Sequence, residues 1–136
     1  MTQKHQEKHP AHIKDVMTAS PHTIGSNQKL SKGHEVMNRD KLRHLPVLRS
    51  GKLVGVVTQR DLYFLQSMAG VDIDIDVVAD AMTPDVFTTT PDATLRDVVA
   101  EMMEHKYGCA VVMEDDRVVG IFTMTDALRV LRSLLD

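Results

Sequence analysis

The chain has 136 residues, 43% of them hydrophobic and 26% charged, with a formal net charge of −3. That length holds about one domain, and the slight acidity argues against a nucleic-acid footprint, which would be strongly basic. The single cysteine, Cys109, permits no intramolecular disulfide and fits a reducing compartment, and no apolar run approaches the ~18 residues of a membrane span.

In chain order, Met1 to His12 is polar, lacks the apolar core of a signal peptide, and reads as a mobile tail, so a cytoplasmic location is expected. His5, His9 and His12 do not make a convincing metal site, because the spacing is loose, Pro10 interrupts any helix, and no cysteine or carboxylate cluster completes a ligand set. Thr23-Ile24 predicts a short strand. Ser26 to Asn38 predicts a helix that Ser26 or Asn27 could cap, with a thin apolar face of Leu30, Gly33, His34 and Met37. Two strands follow, His44 to Arg49 and Leu53 to Thr58, joined by the hairpin signal Ser50-Gly51. A helix then runs from about Arg60 to Ala69. Gly70 to Asp76 is an acidic, alternating linker. Its aspartates resemble the start of a calcium loop, but Val77 and Thr83 stand where that loop needs Gly and Glu.

After the linker the same order returns. At an offset of 65 positions Asp15-Val16-Met17-Thr18 falls on Asp80-Ala81-Met82-Thr83, and Gly55 to Asp61 falls on Gly120 to Asp126. The second helix has a better apolar face, Leu95, Val98, Val99, Met102 and Met103, at helical spacing. His34 occupies the place of Val99, so a half-buried helix residue is expected there rather than a ligand. Ala110 to Met113 and Val118 to Thr123 predict strands flanking Asp115-Asp116. The last helix, about Asp126 to Leu135, carries an apolar stripe of Ala127, Leu128, Leu131, Leu134 and Leu135. Each repeat thus reads strand–helix–strand–strand–helix, over 13–69 and 78–136, with 70–77 between. Continuous apolar strands suggest burial on both faces. Each half is too small for a secure core of its own, so one shared core is expected.

The recurrent Gly-x-x-Thr-x-x-Asp is the best candidate for chemistry. Its Thr and Asp fall where a strand enters a helix, where free backbone N–H groups and the helix dipole favour an anion. A carboxylate there offers two acceptors to the two donors of a ribose diol, which suits Asp61 and Asp126. Thr-x-x-Asp before a helix is equally the pattern of a capping box, and both readings stand. The first repeat has Arg43-His44 and Arg60 around its junction; the second has Gly108-Cys109 and Thr125, so the first is the more cationic. Arg129 and Arg132 read as solvated. No arrangement for nucleophilic or acid–base catalysis is visible, and Cys109 lacks the basic surroundings of a thiolate.

These motifs, in order, twice and at constant spacing, resemble a tandem pair of CBS domains, the module named after cystathionine β-synthase. The carrying residues are Asp15-Val16-Met17-Thr18, His44-Leu45-Pro46-Val47 and Gly55 to Asp61, with their counterparts. The resemblance implies an α/β (α+β) fold of two β-α-β-β-α repeats packed sheet to sheet about a pseudo-twofold axis, with two clefts between them. It implies adenosine-containing ligands, AMP, ADP or ATP first, with S-adenosylmethionine or NAD as further members of the set, and no required cofactor. The first cleft would include Val56; in it Thr58, Arg60 and Asp61 would hold ribose and phosphate, Arg43 and His44 would lie near phosphate, and Thr83, Pro84, Tyr107 and Gly108 would face the base. The second would include Ile121; in it Thr123, Thr125 and Asp126 would hold ribose, opposite Thr18, Leu42 and Arg43. The resemblance further implies a homodimer and a non-catalytic sensor acting on a separate regulated protein, without nucleic acid or membrane. A ligand-free dimerisation module is the alternative.

Overall fold

The computed structural model describes residues 10–136; the expected tail up to His9 lies outside the described residues. The elements are β1 (Thr18–Ala19), β2 (Ile24–Gly25), α1 (Leu30–Asp40), β3 (His44–Arg49), β4 (Lys52–Thr58), α2 (Gln59–Gln66), β5 (Thr88–Thr89), α3 (Leu95–His105), β6 (Cys109–Glu114), β7 (Arg117–Thr123) and α4 (Met124–Leu135). Short 3-10 turns at Ile13–Asp15 and Val78–Asp80 open the two repeats.

The chain divides into two compact units, and they are not the two sequence repeats. One unit is His22–Val86; the other joins the described part of Met1–Pro21 to Phe87–Asp136. The opening segment of each repeat is therefore spent on the other repeat's elements.

In the His22–Val86 unit, β2 runs parallel to β3, with Ile24 opposite Val47, and β3 pairs antiparallel with β4. The hairpin turns through Ser50 and Gly51, both at positive φ (52° and 78°). Successive positive φ values let a two-residue turn follow the strand twist. The core gathers Ile24, Leu30, Val36, Met37, Leu45, Val47, Val57 and Leu62, and it is completed by Val78 from the second repeat. Backbone bonds hold that segment: Val78 N–H donates to Gln28 O at 2.8 Å and Ala79 N–H to Ser26 O at 2.9 Å.

In the other unit the strand order is β1-β7-β6-β5, with β5 parallel to β6 and both other pairings antiparallel. Its core gathers Val98, Met102, Ala110, Val112 and Phe122 around Ile13 from the first repeat. Ile13 N–H donates to Ala93 O at 3.0 Å, the counterpart of the Val78–Gln28 bond. The expected single shared core is thus corrected to two clusters. Each remedies its smallness by borrowing a residue from the opposite repeat.

The glycine of the recurrent motif permits this exchange. A Cβ on Gly55 would lie 2.7 Å from Met82 Sδ and 2.9 Å from Thr83 O, and one on Gly120 would overlap the Met17 sulfur. The borrowed Met-Thr arms cross the strands at these points, and only a residue without a side chain lets them pass.

Ser26 and Asn27 do not cap α1; the N-cap is Lys29, with no side-chain cap bond. Instead Leu30 N–H donates to Asp76 O at 3.0 Å and Ser31 N–H to Ile73 O at 2.9 Å. The acidic connection thus satisfies the helix start with its own backbone. Its carboxylates fold back on neighbouring amides, Asp74 N–H to Asp72 Oδ1 at 2.9 Å and Asp72 N–H to Asp76 Oδ2 at 2.8 Å. His34 is half-buried, as expected, and its ring packs 5.0 Å from Tyr63.

Of the stripe on α4, Ala127 packs against the core cluster around Phe122, but the leucines do not face a core. Leu128, Leu131 and Leu135 are 61%, 50% and 78% exposed, and the only buried residue of the helix is Asp126. An open, apolar cavity of about 420 Å³ lies between α3 and α4, lined among others by Met102, Met103, Met124 and Ala127.

Candidate functional site

Both acidic junctions form, and both are capping boxes. At the start of α2, Thr58 N–H donates to Asp61 Oδ2 at 2.9 Å, and Asp61 N–H donates to Thr58 Oγ1 at 3.0 Å. At the start of α4 the same exchange links Thr123 and Asp126, at 2.9 Å and 3.3 Å. Capping uses one carboxylate oxygen in each case, and what the other oxygen does separates the two junctions.

The Asp61 carboxylate is half-buried, and among the described residues its Oδ1 has no hydrogen-bond partner. β3 and β4 bring the predicted basic residues beside it. His44 pairs with Thr58 across the strands, and Gln59 N–H donates to Arg43 O at 2.9 Å, tying the start of β3 to the first turn of α2. Arg43 and Arg60 are exposed and form no ion pair among the described residues. Val56 is buried and exchanges backbone bonds with Thr83, at 3.0 Å and 2.8 Å, which places Thr83 and Pro84 in the same unit as Asp61. Thr58, Arg60, Asp61, Arg43, His44, Val56, Thr83 and Pro84 thus belong to one unit. Tyr107 and Gly108 belong to the other unit, where they line the apolar cavity. Tyr107 stacks there on Phe87, centroids 4.8 Å apart, and on His105 at 5.2 Å.

Burial holds the His44 imidazole below its usual range, opposed by the nearby Asp61 charge and aided by Arg43. A histidine with a depressed folded-state pKa stabilises the fold above its ordinary pKa of 6.5, and that stability is lost as pH falls towards the folded-state value. Chemical denaturation from pH 7.5 to 5.5 should therefore show the parent losing stability relative to His44→Asn. The slope should not exceed about 1.4 kcal/mol per pH unit, the limit for one proton. A parent and variant with parallel pH profiles would contradict this account of His44.

The second junction differs. Asp126 is 3% exposed. Its Oδ2 accepts from the Thr123 backbone and from Thr123 Oγ1 (3.1 Å), while its Oδ1 accepts from Thr18 Oγ1 at 3.1 Å and Arg129 Nη1 at 2.8 Å. Arg129, expected to be simply solvated, is ion-paired to this carboxylate. Ile121 lies buried beneath, paired with Thr18 across β7 and β1, and Thr125 is exposed. Leu42 and Arg43, assigned to this cleft by resemblance, belong to the other unit. Cys109 is buried, and burial pushes its thiol up to about 11, which keeps it protonated near neutral pH. Glu101, Glu104 and His105 bring three ligand-type atoms together on the exposed face of α3, a cluster that sequence reading did not single out. Glu101 and His105 already pair there at 3.3 Å.

Two strand–helix–strand–strand–helix repeats with exchanged openings and a capped acid at each second helix define a duplicated α/β module. The family model for the CBS domain matches residues 13–66 and again 78–133, and the chain belongs to that family. It is 25% identical over 114 residues to the CBS domain-containing protein YhcV of Bacillus subtilis strain 168, covering 84% of this chain and 81% of that one. It is 32% identical over 116 residues to the homoserine O-acetyltransferase of Methanocorpusculum labreanum, but spans only 23% of that enzyme. Among solved structures, the AcuB protein of Vibrio cholerae matches with a TM-score of 0.83 at 31% identity, covering 93% of each chain. The CBS domain pair of MJ0100, solved with 5′-methylthioadenosine and S-adenosyl-L-methionine, matches at 0.81 and 26% identity, covering 90% of this chain and 97% of that one. CBSX2, solved with AMP, matches at 0.78 and 25% identity, covering 92% and 99%.

Proposed function

We propose that this chain is a non-catalytic regulatory module that binds an adenosine-containing ligand at the Asp61 junction, AMP, ADP or ATP before S-adenosylmethionine or NAD. The observation that carries the reading is the Asp61 oxygen that is unoccupied among the described residues, set at a helix start beside Arg43 and Arg60, which form no ion pair among those residues. The open carboxylate oxygen can accept from ribose hydroxyls, and the two guanidinium groups can pair with phosphate. MJ0100 and CBSX2, solved with adenosine compounds, support the choice of ligand class. The ligand shifts the packing of the module, and a regulated protein in the cytoplasm reads the shift. A thermal-shift panel of adenosine compounds tests this: at least one should raise the melting temperature, while the matching ribose-free bases should not. A panel without any shift favours the ligand-free assembly reading.

The module works as a homodimer through α4. Its leucine stripe, continued by Met124, is an apolar patch of the kind that marks a protein interface. Size-exclusion chromatography with light scattering should give a dimer for the parent and a monomer for Leu131→Lys, with unchanged far-UV circular dichroism. A dimeric Leu131→Lys would place the interface elsewhere.

A further inference from the structure

The two acidic junctions are equivalent in sequence but not in state. Thr18 and Thr83 are counterparts, and so are Asp126 and Asp61; Arg129, however, has Phe64 as its counterpart. Phe64 offers no donor. In the second junction Thr18 Oγ1 and Arg129 Nη1 both donate to Asp126 Oδ1, at 3.1 Å and 2.8 Å. In the first junction neither counterpart reaches Asp61 among the described residues, and its Oδ1 stays open.

Two donors converging on one carboxylate oxygen reproduce what a sugar diol would supply. The guanidinium adds a charge-assisted bond, the stronger kind. Together with the two bonds from Thr123, they saturate a carboxylate that is only 3% exposed. A ligand entering here would have to break these bonds before making its own, and the free energy of the exchange would be close to zero. Arg129 itself remains 69% exposed, so it can leave without disturbing a core.

The geometry points to Arg129 as an internal latch: with Thr18 it takes the place of a ligand's sugar hydroxyls at Asp126, so the chain binds one adenosine ligand, at Asp61, and removal of Arg129 opens a second site. This rests on the ligand reading proposed above. It makes Arg129 the residue that sets how many ligands the duplicated module holds, although it belongs to neither Thr-x-x-Asp motif.

Isothermal titration of the full chain with AMP tests the latch. The parent should take one equivalent and Asp61→Asn none. Arg129→Met, which keeps an unbranched apolar stem and drops the guanidinium, should take two, and adding Asp126→Asn to it should restore one. A parent that takes two, or an Arg129→Met that still takes one, overturns the latch. A second measurement needs no ligand. The melting temperatures of Arg129→Met, Asp126→Asn and the double variant should be non-additive, because the two residues share one bond. Additive shifts overturn the latch by themselves, whatever AMP does. If the shifts are non-additive but neither the parent nor Arg129→Met binds AMP, the ligand reading falls, and the stoichiometry claim falls with it.

Discussion

Asp61→Asn should abolish stabilisation by adenine nucleotides while leaving the protein folded. At a ligand concentration 100-fold above Kd, binding adds roughly 2.7 kcal/mol to stability, a shift on the order of 10 °C for a chain of this length. The choice of asparagine separates capping from ligand binding. Asp61 accepts the Thr58 amide through one oxygen only, and an asparagine carbonyl can accept the same bond. What the variant loses is the charge and the second acceptor, which the cap does not use and a ribose diol would. Asp61→Ala removes both functions and should in addition cost about 0.5–1.5 kcal/mol of stability for the lost capping-box bond to the Thr58 amide. Nucleotide protection that survives in Asp61→Asn would mean that the carboxylate serves its own helix alone.

Much of the fold was legible because the code was written twice. The hairpin at Ser50-Gly51 and the apolar strands around it read directly, since turn chemistry and continuous burial leave local traces. The cap of α1 did not, because its acceptors are backbone carbonyls of Ile73 and Asp76, and a backbone acceptor leaves no residue-type signal. The stripe on α4 was visible but its direction was not: periodicity says that a helix has an apolar face, not what covers it. At the site, the capping boxes and the basic Arg43-His44 could be read from spacing. The asymmetry between Asp61 and Asp126 turns on Arg129, one helical turn from the acid. Such a spacing is common on solvated helices and carries no signal until the second acid is seen to be buried.

The exchange of opening segments was also hidden, and it leads to the largest stability effect expected here. Ile13 is fully buried, yet it is clustered with Val98, Met102, Ala110 and Phe122 of the second repeat rather than with the helices and strands that follow it in the first. Ile13→Ala should cost about 2–5 kcal/mol, the transfer of the lost methyl groups plus the cavity they leave. Against a typical domain stability of about 5–15 kcal/mol this is a large fraction, and the fall in melting temperature should be on the order of 10 °C. The location of the damage is the sharper test. Hydrogen exchange should quicken in β6, β7 and α3, far along the chain from the substitution, while β3 and β4 keep their protection. Val78→Ala should do the reverse, loosening β3, β4 and α1, because Val78 completes the core of the first repeat's elements. Exchange that quickens instead in the elements adjoining each substitution in sequence would mean that each repeat keeps its own opening turn.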